Sequence, residues 1–253
     1  MKIFSQMIIG LSLLFLSNKA SAYEVELTKQ AIEIDGLATE QIWTTQKWQA
    51  IDQAIIGKLP ESMDFSGRYK LLWDQNFIYI LAEIVDDKLF DGHPNPVDFY
   101  WDDDCLEIFI DEDASGGNHQ FNFNAFAYHL ALDNQVVDIG EKDKNGEPQF
   151  LVLNDHAKNR WKRSQTDPTK IIWEVALAVY DDQFRPNKDE NNPVKLHAGK
   201  QMGFMMAYCD NDGSKGRESF IGSKDIKAVN GDKNRGYIDA GVFGKIKLVG
   251  NKD

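Results

Sequence analysis

The sequence predicts an all-β chain, an antiparallel β-sandwich of two sheets of jelly-roll or immunoglobulin-like type with one or two short helices. Three observations predict it. Apolar residues alternate with period two in run after run, Asp/Asn/Gly clusters punctuate those runs, and no stretch carries the apolar spacing of a helix of three turns or more.

In chain order, residues 1–22 read as a secretory leader, with Lys2, an apolar run from Ile8 to Leu16 and the small-residue cleavage site Ala20-Ser-Ala22. That run is too short to span a bilayer, and no later stretch approaches the ~20 apolar residues a span needs. The next residue is Tyr23 rather than a cysteine, which argues against a lipid anchor. Residues 23–253 are then expected to be one domain, exported to the periplasm or beyond and monomeric.

The formal charge is −12, and removing Lys2 and Lys19 makes it −14. Nucleic acids and anionic membranes demand a basic face, so neither is expected as partner. Acidity fits both a binder of neutral ligands and plain solubility.

Residues 24–34 alternate weakly and lead to the turn Asp35-Gly36, and Thr39 to Ile42 can start a short helix that turns Trp43 inward. Residues 67–85 read as a hairpin turning at Asp74-Gln-Asn76, its second strand apolar enough to lie centrally, covered on both faces. A loop from Lys88 to Tyr100 then delivers Trp101-Asp-Asp-Asp-Cys-Leu-Glu-Ile-Phe-Ile-Asp111. In this strand Leu106, Ile108 and Ile110 share one face; Cys105, Glu107, Phe109 and Asp111 share the other. One face can enter a core while the other sets an acid beside an indole, a surface suited to a polyol. A core tryptophan followed by a solvated acidic loop fits the same residues.

His119 to Leu132 alternates too, which puts Asn122 and Asn124 on one face, as hydroxyl-binding amides or as an outer solvated face. Residues 133–170 look irregular apart from a strand around Arg160 to Ser164. Further strands are expected at 170–179, 202–209 and 244–249, with a long loop at 181–200. Cys105 and Cys209 could be joined in an exported chain, but sequence leaves a bridge and two thiols equally open. The turn Asp111-Glu-Asp-Ala-Ser-Gly-Gly117 lacks the spacing of an EF-hand. Nucleophile elbows, phosphate loops, dinucleotide fingerprints and His-Glu-x-x-His are all missing, and the five histidines are scattered. The chemistry points to a binder and not an enzyme.

A succession of motifs carries a resemblance: Ile34-Asp-Gly36 with Glu40-x-x-Trp43, Leu72-Trp-Asp74 with Tyr79, Asp104-x-x-Glu-Ile-Phe-Ile-Asp111, Gly203-Phe204 with Asn211-Asp-Gly213, and Phe243-Gly244. In order and spacing over residues 30–249 they resemble carbohydrate-binding module family 9. That resemblance implies a sandwich with structural Ca²⁺, no organic cofactor, and a slot in which two aromatics clamp a sugar of an oligo- or polysaccharide, often a chain end. Position by position it implies Trp101 as first clamp, Glu107 as the strand acid, and Asn234 with Tyr237 where the family has Asn and Trp. The family's arginine falls at Asn122, with Asn124 beside it. No metal ligands are carried over. Two other functions suit the wider superfamily or the many acids: non-covalent haem held by His129 with Met202, Met205 or Met206, and glycoside hydrolysis by a carboxylate pair.

Overall fold

Side-chain alternation decides the architecture. The computed structural model describes residues 22–250 except residue 189, so all of the predicted leader but Ala22 lies outside the described residues. The strands are β1 (Tyr23–Leu27), β2 (Gln49–Ile51), β3 (Gln53–Ile56), β4 (Phe65–Trp73), β5 (Ile78–Asp86), β6 (Cys105–Asp111), β7 (Phe126–Ala131), β8 (Val136–Lys142), β9 (Pro148–Val152), β10 (Ala157–Arg163), β11 (Lys170–Leu177), β12 (Gln201–Asp210), β13 (Ser219–Gly222) and β14 (Gly244–Val249). Two 3-10 turns, Gln41–Thr45 and Ala240–Val242, are the short helices.

The strands join edge to edge in the order β10-β11-β5-β4-β1-β14-β12-β6-β7-β8-β9, with β2 on β4 and β13 linking β12 to β3. This long sheet folds over on itself. Phe65 of β4 stacks on Tyr208 of β12 with ring centroids 5.3 Å apart, and Tyr69 lies 5.9 Å from Phe204, although β4 and β12 are not ladder neighbours. The result is the predicted sandwich, two layers around one large core. One part of the expectation is corrected at β1, which runs parallel to both β14 and β4, with Tyr23 opposite Ile246 and Glu26 opposite Leu72.

Local chemistry explains several elements. Asp74 Oδ1 accepts from the N–H groups of Asn76 and Phe77, closing the hairpin between β4 and β5. β5 lies between β4 and β11, and its apolar sequence matches burial on both faces. Trp43, 3% exposed, plugs a satellite core from the first 3-10 turn. At the Asp35-Gly36 turn, Glu174 Oε2 accepts from the N–H groups of residues 35, 36 and 37. Gly36 has φ +76°, and a Cβ there would come within 3.0 Å of the Lys162 nitrogen, so only glycine fits without strain.

Three expectations fail. The stretch His119 to Ala125 is a loop, and β7 begins only at Phe126, because the local side chains satisfy the backbone in place of a ladder. Residues 136–152 are the hairpin β8–β9, turning at Asp143-Lys-Asn-Gly146; their polar side chains obscure the alternation on a half-exposed edge. The exposed face expected of β6 is covered: Cys105 and Phe109 pack with Ala127, Met205, Phe220 and Phe243 in a second apolar cluster.

A buried histidine gives the fold a pH dependence. His156 is 3% exposed, stacks on Tyr180 at 3.9 Å and shares a 2.7 Å hydrogen bond with the Tyr128 hydroxyl. Burial pushes its pKa down to about 3, from the ordinary 6.5. The folded form holds the ring neutral while the unfolded chain protonates it, so this stability is complete above pH 6.5 and is lost as pH falls towards 3. At about 1.4 kcal/mol per pH unit, the native chain should lose about 2 kcal/mol more than His156→Gln between pH 7 and pH 5. Urea unfolding at both pH values measures it; equal losses in the two proteins would refute the assignment.

Candidate functional site

Three adjacent strands build one polar patch. On β6, Cys105, Glu107 and Phe109 share a face; β7 sets His129 opposite Glu107, and β12 sets Cys209 opposite Cys105. Glu107 is 2% exposed, and its Oε1 lies 2.9 Å from His129 Nε2 and accepts from Cys209 Sγ at 2.9 Å. Arg217, from the segment before β13, places Nη1 3.4 Å from the same oxygen and 3.1 Å from Cys209 Sγ. Its guanidinium lies 4.4 Å over the Phe220 ring, which fixes the long side chain.

Burial alone would raise the Glu107 carboxyl, but the His129 ring, Arg217 and the Cys209 thiol outweigh it and hold the group below its ordinary value. Burial likewise opposes the Arg217 charge, and Cys209 and Glu107 overcome it. The pair is a preorganised acceptor and donor fork at the floor of a cavity.

That cavity has a volume of about 300 Å³. Glu107, His129 and Arg217 line it together with aromatic and apolar walls: Tyr100 and Trp101 from the loop before β6, Phe121 from the loop before β7, Phe150 from β9, and Tyr237 with Asn234. The Trp101 loop is pinned by acids. Asp104 Oδ2 accepts from Phe90 N at 2.6 Å, and Asp103 accepts from Gly92 N and His93 N. Aromatic neighbours then hold the indole, with Tyr100 at 5.0 Å, Phe99 at 5.8 Å and Phe150 at 5.9 Å.

Of the six residues singled out from sequence, Trp101, Glu107, Asn234 and Tyr237 line this one cavity. Asn122 and Asn124 are absent from its lining. Asn122 Oδ1 accepts from Asn124 N, and Asn124 Nδ2 donates to Gly116 O, so both amides hold the 116–124 loop together. Their two-residue spacing implied a common face only if the stretch were a strand.

Sequence reasoning missed Arg217. It assigned the arginine position to Asn122, whereas the guanidinium arrives from residue 217, far along the chain in a Gly-rich turn without periodicity. Tyr100, Gln120, Phe121 and Phe150 were also missed as lining residues.

Two alternatives lose support from the geometry. Met202, Met205 and Met206 are fully buried, and none of them lines the cavity that His129 lines. No methionine sulfur is among its lining residues, so the predicted His–Met pair is not brought together. Glu107 is the one carboxylate among the lining residues and is ion-paired, whereas hydrolysis of a glycoside calls for two acids.

An acidic cluster lies elsewhere. Asp86, Asp104 and Asp210 are buried with carboxylate oxygens within 4.8 Å of one another. They accept from backbone N–H and hydroxyl groups, among them Lys88 N, Asn211 N, Tyr208 Oη and Ser219 Oγ, rather than from a lysine or arginine side chain. Burial and mutual repulsion push Asp104 up to about 9. An oxygen-only set of this charge fits Ca²⁺.

The family model for the carbohydrate family 9 binding domain-like domain matches residues 34–251. The chain belongs to this family. Among solved structures, a family 9 module of Caldicellulosiruptor kristjanssonii in complex with cellotriose is 22% identical, with TM-score 0.64, covering 92% of this chain and 96% of that one. A family 9 module of the same organism in complex with glucose gives TM-score 0.63 at 21% identity over 91% and 97% of the two chains. Among curated proteins, the endo-1,4-β-xylanase A of Thermotoga maritima is 32% identical over 143 residues, 55% of this chain and 13% of the xylanase. The namesake of Thermoanaerobacterium saccharolyticum is 24% identical over 74% of this chain and 14% of its own length. This family 9 chain thus matches one small part of large enzymes. Among the described residues, no helix is long and apolar enough to cross a membrane.

Proposed function

We propose that this family 9 protein is an exported, non-catalytic carbohydrate binder that holds one neutral sugar, at a glycan chain end, between Trp101 and Tyr237. The observation that carries the reading is the meeting of two aromatics with a buried acid–guanidinium pair in one cavity of about 300 Å³. Flat rings pack on sugar C–H faces while Glu107 accepts from hydroxyls and Arg217 donates to them. The volume lies at the lower end for small-ligand sites, which favours one or two sugar units over a long chain laid across the surface.

Relatives solved with cellotriose and glucose, and relatives named as xylanases, make β-1,4-linked glucans and xylans the first ligands to test. A glycan array on the purified protein, followed by calorimetry with cellotriose, glucose and xylo-oligosaccharides, tests the proposal. Failure to bind any glycan, with Ca²⁺ present, would overturn it.

A structural Ca²⁺ at Asp86, Asp104 and Asp210 belongs to the same reading. Saturation at 100 times the dissociation constant stabilises a fold by about 2.7 kcal/mol, so adding Ca²⁺ to chelator-treated protein should raise Tm by about 5 °C or more. Asp104→Asn should abolish that response in a thermal melt. A melting curve indifferent to Ca²⁺ would remove the ion from the account.

A further inference from the structure

We propose that Cys105, Glu107, His129 and Cys209 form a site for one thiophilic divalent cation, Zn²⁺ being the best fit, directly beneath the floor of the cavity. The four residues are buried, and one ligand atom from each lies within 4.8 Å of all the others. Ladder register holds them there: Cys105 and Glu107 are two apart on one face of β6, with Cys209 and His129 as their cross-strand partners. Neither thiol is tied up in a disulfide.

The donor set selects the metal. Two sulfurs, an imidazole nitrogen and a carboxylate oxygen suit tetrahedral Zn²⁺, whereas Ca²⁺ and Mg²⁺ demand oxygens. Bonds of about 2.3 Å to sulfur and about 2.0 Å to nitrogen and oxygen imply ligand separations of about 3.3–3.8 Å, which side-chain rotation of about 1 Å would supply. Sγ of Cys209 and Nε2 of His129 already lie 2.9 Å from Glu107 Oε1.

Surrounding groups complete the site. His129 Nδ1 sits 3.1 Å from Ala127 O, a contact that holds the ring with Nε2 turned toward the cluster, the usual outer support of a metal-bound imidazole. Two thiolates and one carboxylate around a dication leave one negative charge, and Arg217, with Nη1 3.1 Å from Cys209 Sγ, cancels it. Entry is open, because Glu107 and His129 line the cavity. Binding releases the two thiol protons to solvent and changes no oxidation state.

The test is titration of reduced, metal-free protein with Co²⁺, a coloured stand-in for Zn²⁺. One equivalent should produce a thiolate-to-cobalt charge-transfer band in the near ultraviolet, and Zn²⁺ should bleach it. Cys105→Ser and Cys209→Ser should each lose most of that band, and His129→Gln should weaken Co²⁺ binding at least 10-fold. The oxygen-only acidic cluster cannot give a sulfur band, so binding there is not confused with this site. No charge-transfer band at saturating Co²⁺, or a band that survives in both serine variants, would overturn the proposal. If the serine variants do not fold, the wild-type titration decides alone: a sulfur-to-cobalt band that Zn²⁺ bleaches supports the site, and its absence overturns it.

Discussion

Replacing Trp101 by alanine is expected to weaken glycan binding about 30-fold or more. Truncation of a central aromatic at a binding surface typically removes about 2 kcal/mol, and every 1.4 kcal/mol is tenfold in affinity. The indole is held in advance by Tyr100, Phe99 and Phe150, and Asp103 and Asp104 tie down its loop, so the ligand spends little free energy ordering it. Those same contacts mean that the variant keeps its backbone, which near-ultraviolet circular dichroism can confirm. Asn122→Ala is the matching control. Its amide faces the 116–124 loop and not the cavity, so affinity should stay within twofold to threefold. Calorimetry with the best array ligand decides, and a Trp101→Ala constant equal to the native one would move the site off this cavity.

Arg217→Met is expected to cost about 3 kcal/mol of stability and at least 10-fold in affinity. Removing one member of a buried ion pair leaves the other as an uncompensated charge, at a typical cost of about 3–5 kcal/mol. Glu107 keeps His129 as a partner, which places the effect at the low end. The guanidinium side chain is only 11% exposed, so solvent does little to screen the loss. Urea unfolding measures the first figure and calorimetry the second. A stability change under about 1 kcal/mol would mean that the pair is screened and that Arg217 is dispensable to the floor.

What could be read from the sequence follows a physical line. Periodicity revealed the strands with one or two apolar faces, and so it found β4, β5, β6, β11, β12 and β14 and the position of Glu107. It also placed Trp101 at the lip of a sheet, because a turn-rich loop ran straight into an alternating strand. The hairpin β8–β9 was legible in part, since Asn145-Gly146 lies between Val136–Ile139 and Phe150–Val152; polar residues at the remaining positions masked it. Arg217 had no local signature at all. It reaches Glu107 because β12 and β13 fold back beside β6, a relation that exists only in three dimensions. Asn122 and Asn124 show the opposite error, a period of two produced by a loop whose side chains satisfy its own backbone.

The parallel placement of β1 has a consequence for how the chain acquires its shape during synthesis. Tyr23 is registered with Ile246 and Val25 with Leu248, so β1 is clamped between β4 and β14, a strand made more than two hundred residues later. The Trp73 indole N–H donates to Val249 O across the same seam. Until residues 244–249 are available, β1 lacks one partner and the two halves of the sheet present open edges to each other and to other chains. Contacts this distant in sequence close slowly. A nascent chain emerging from the ribosome in order therefore cannot complete the sandwich piecemeal; the six-residue strand β14 acts as the latch between β1 and β12.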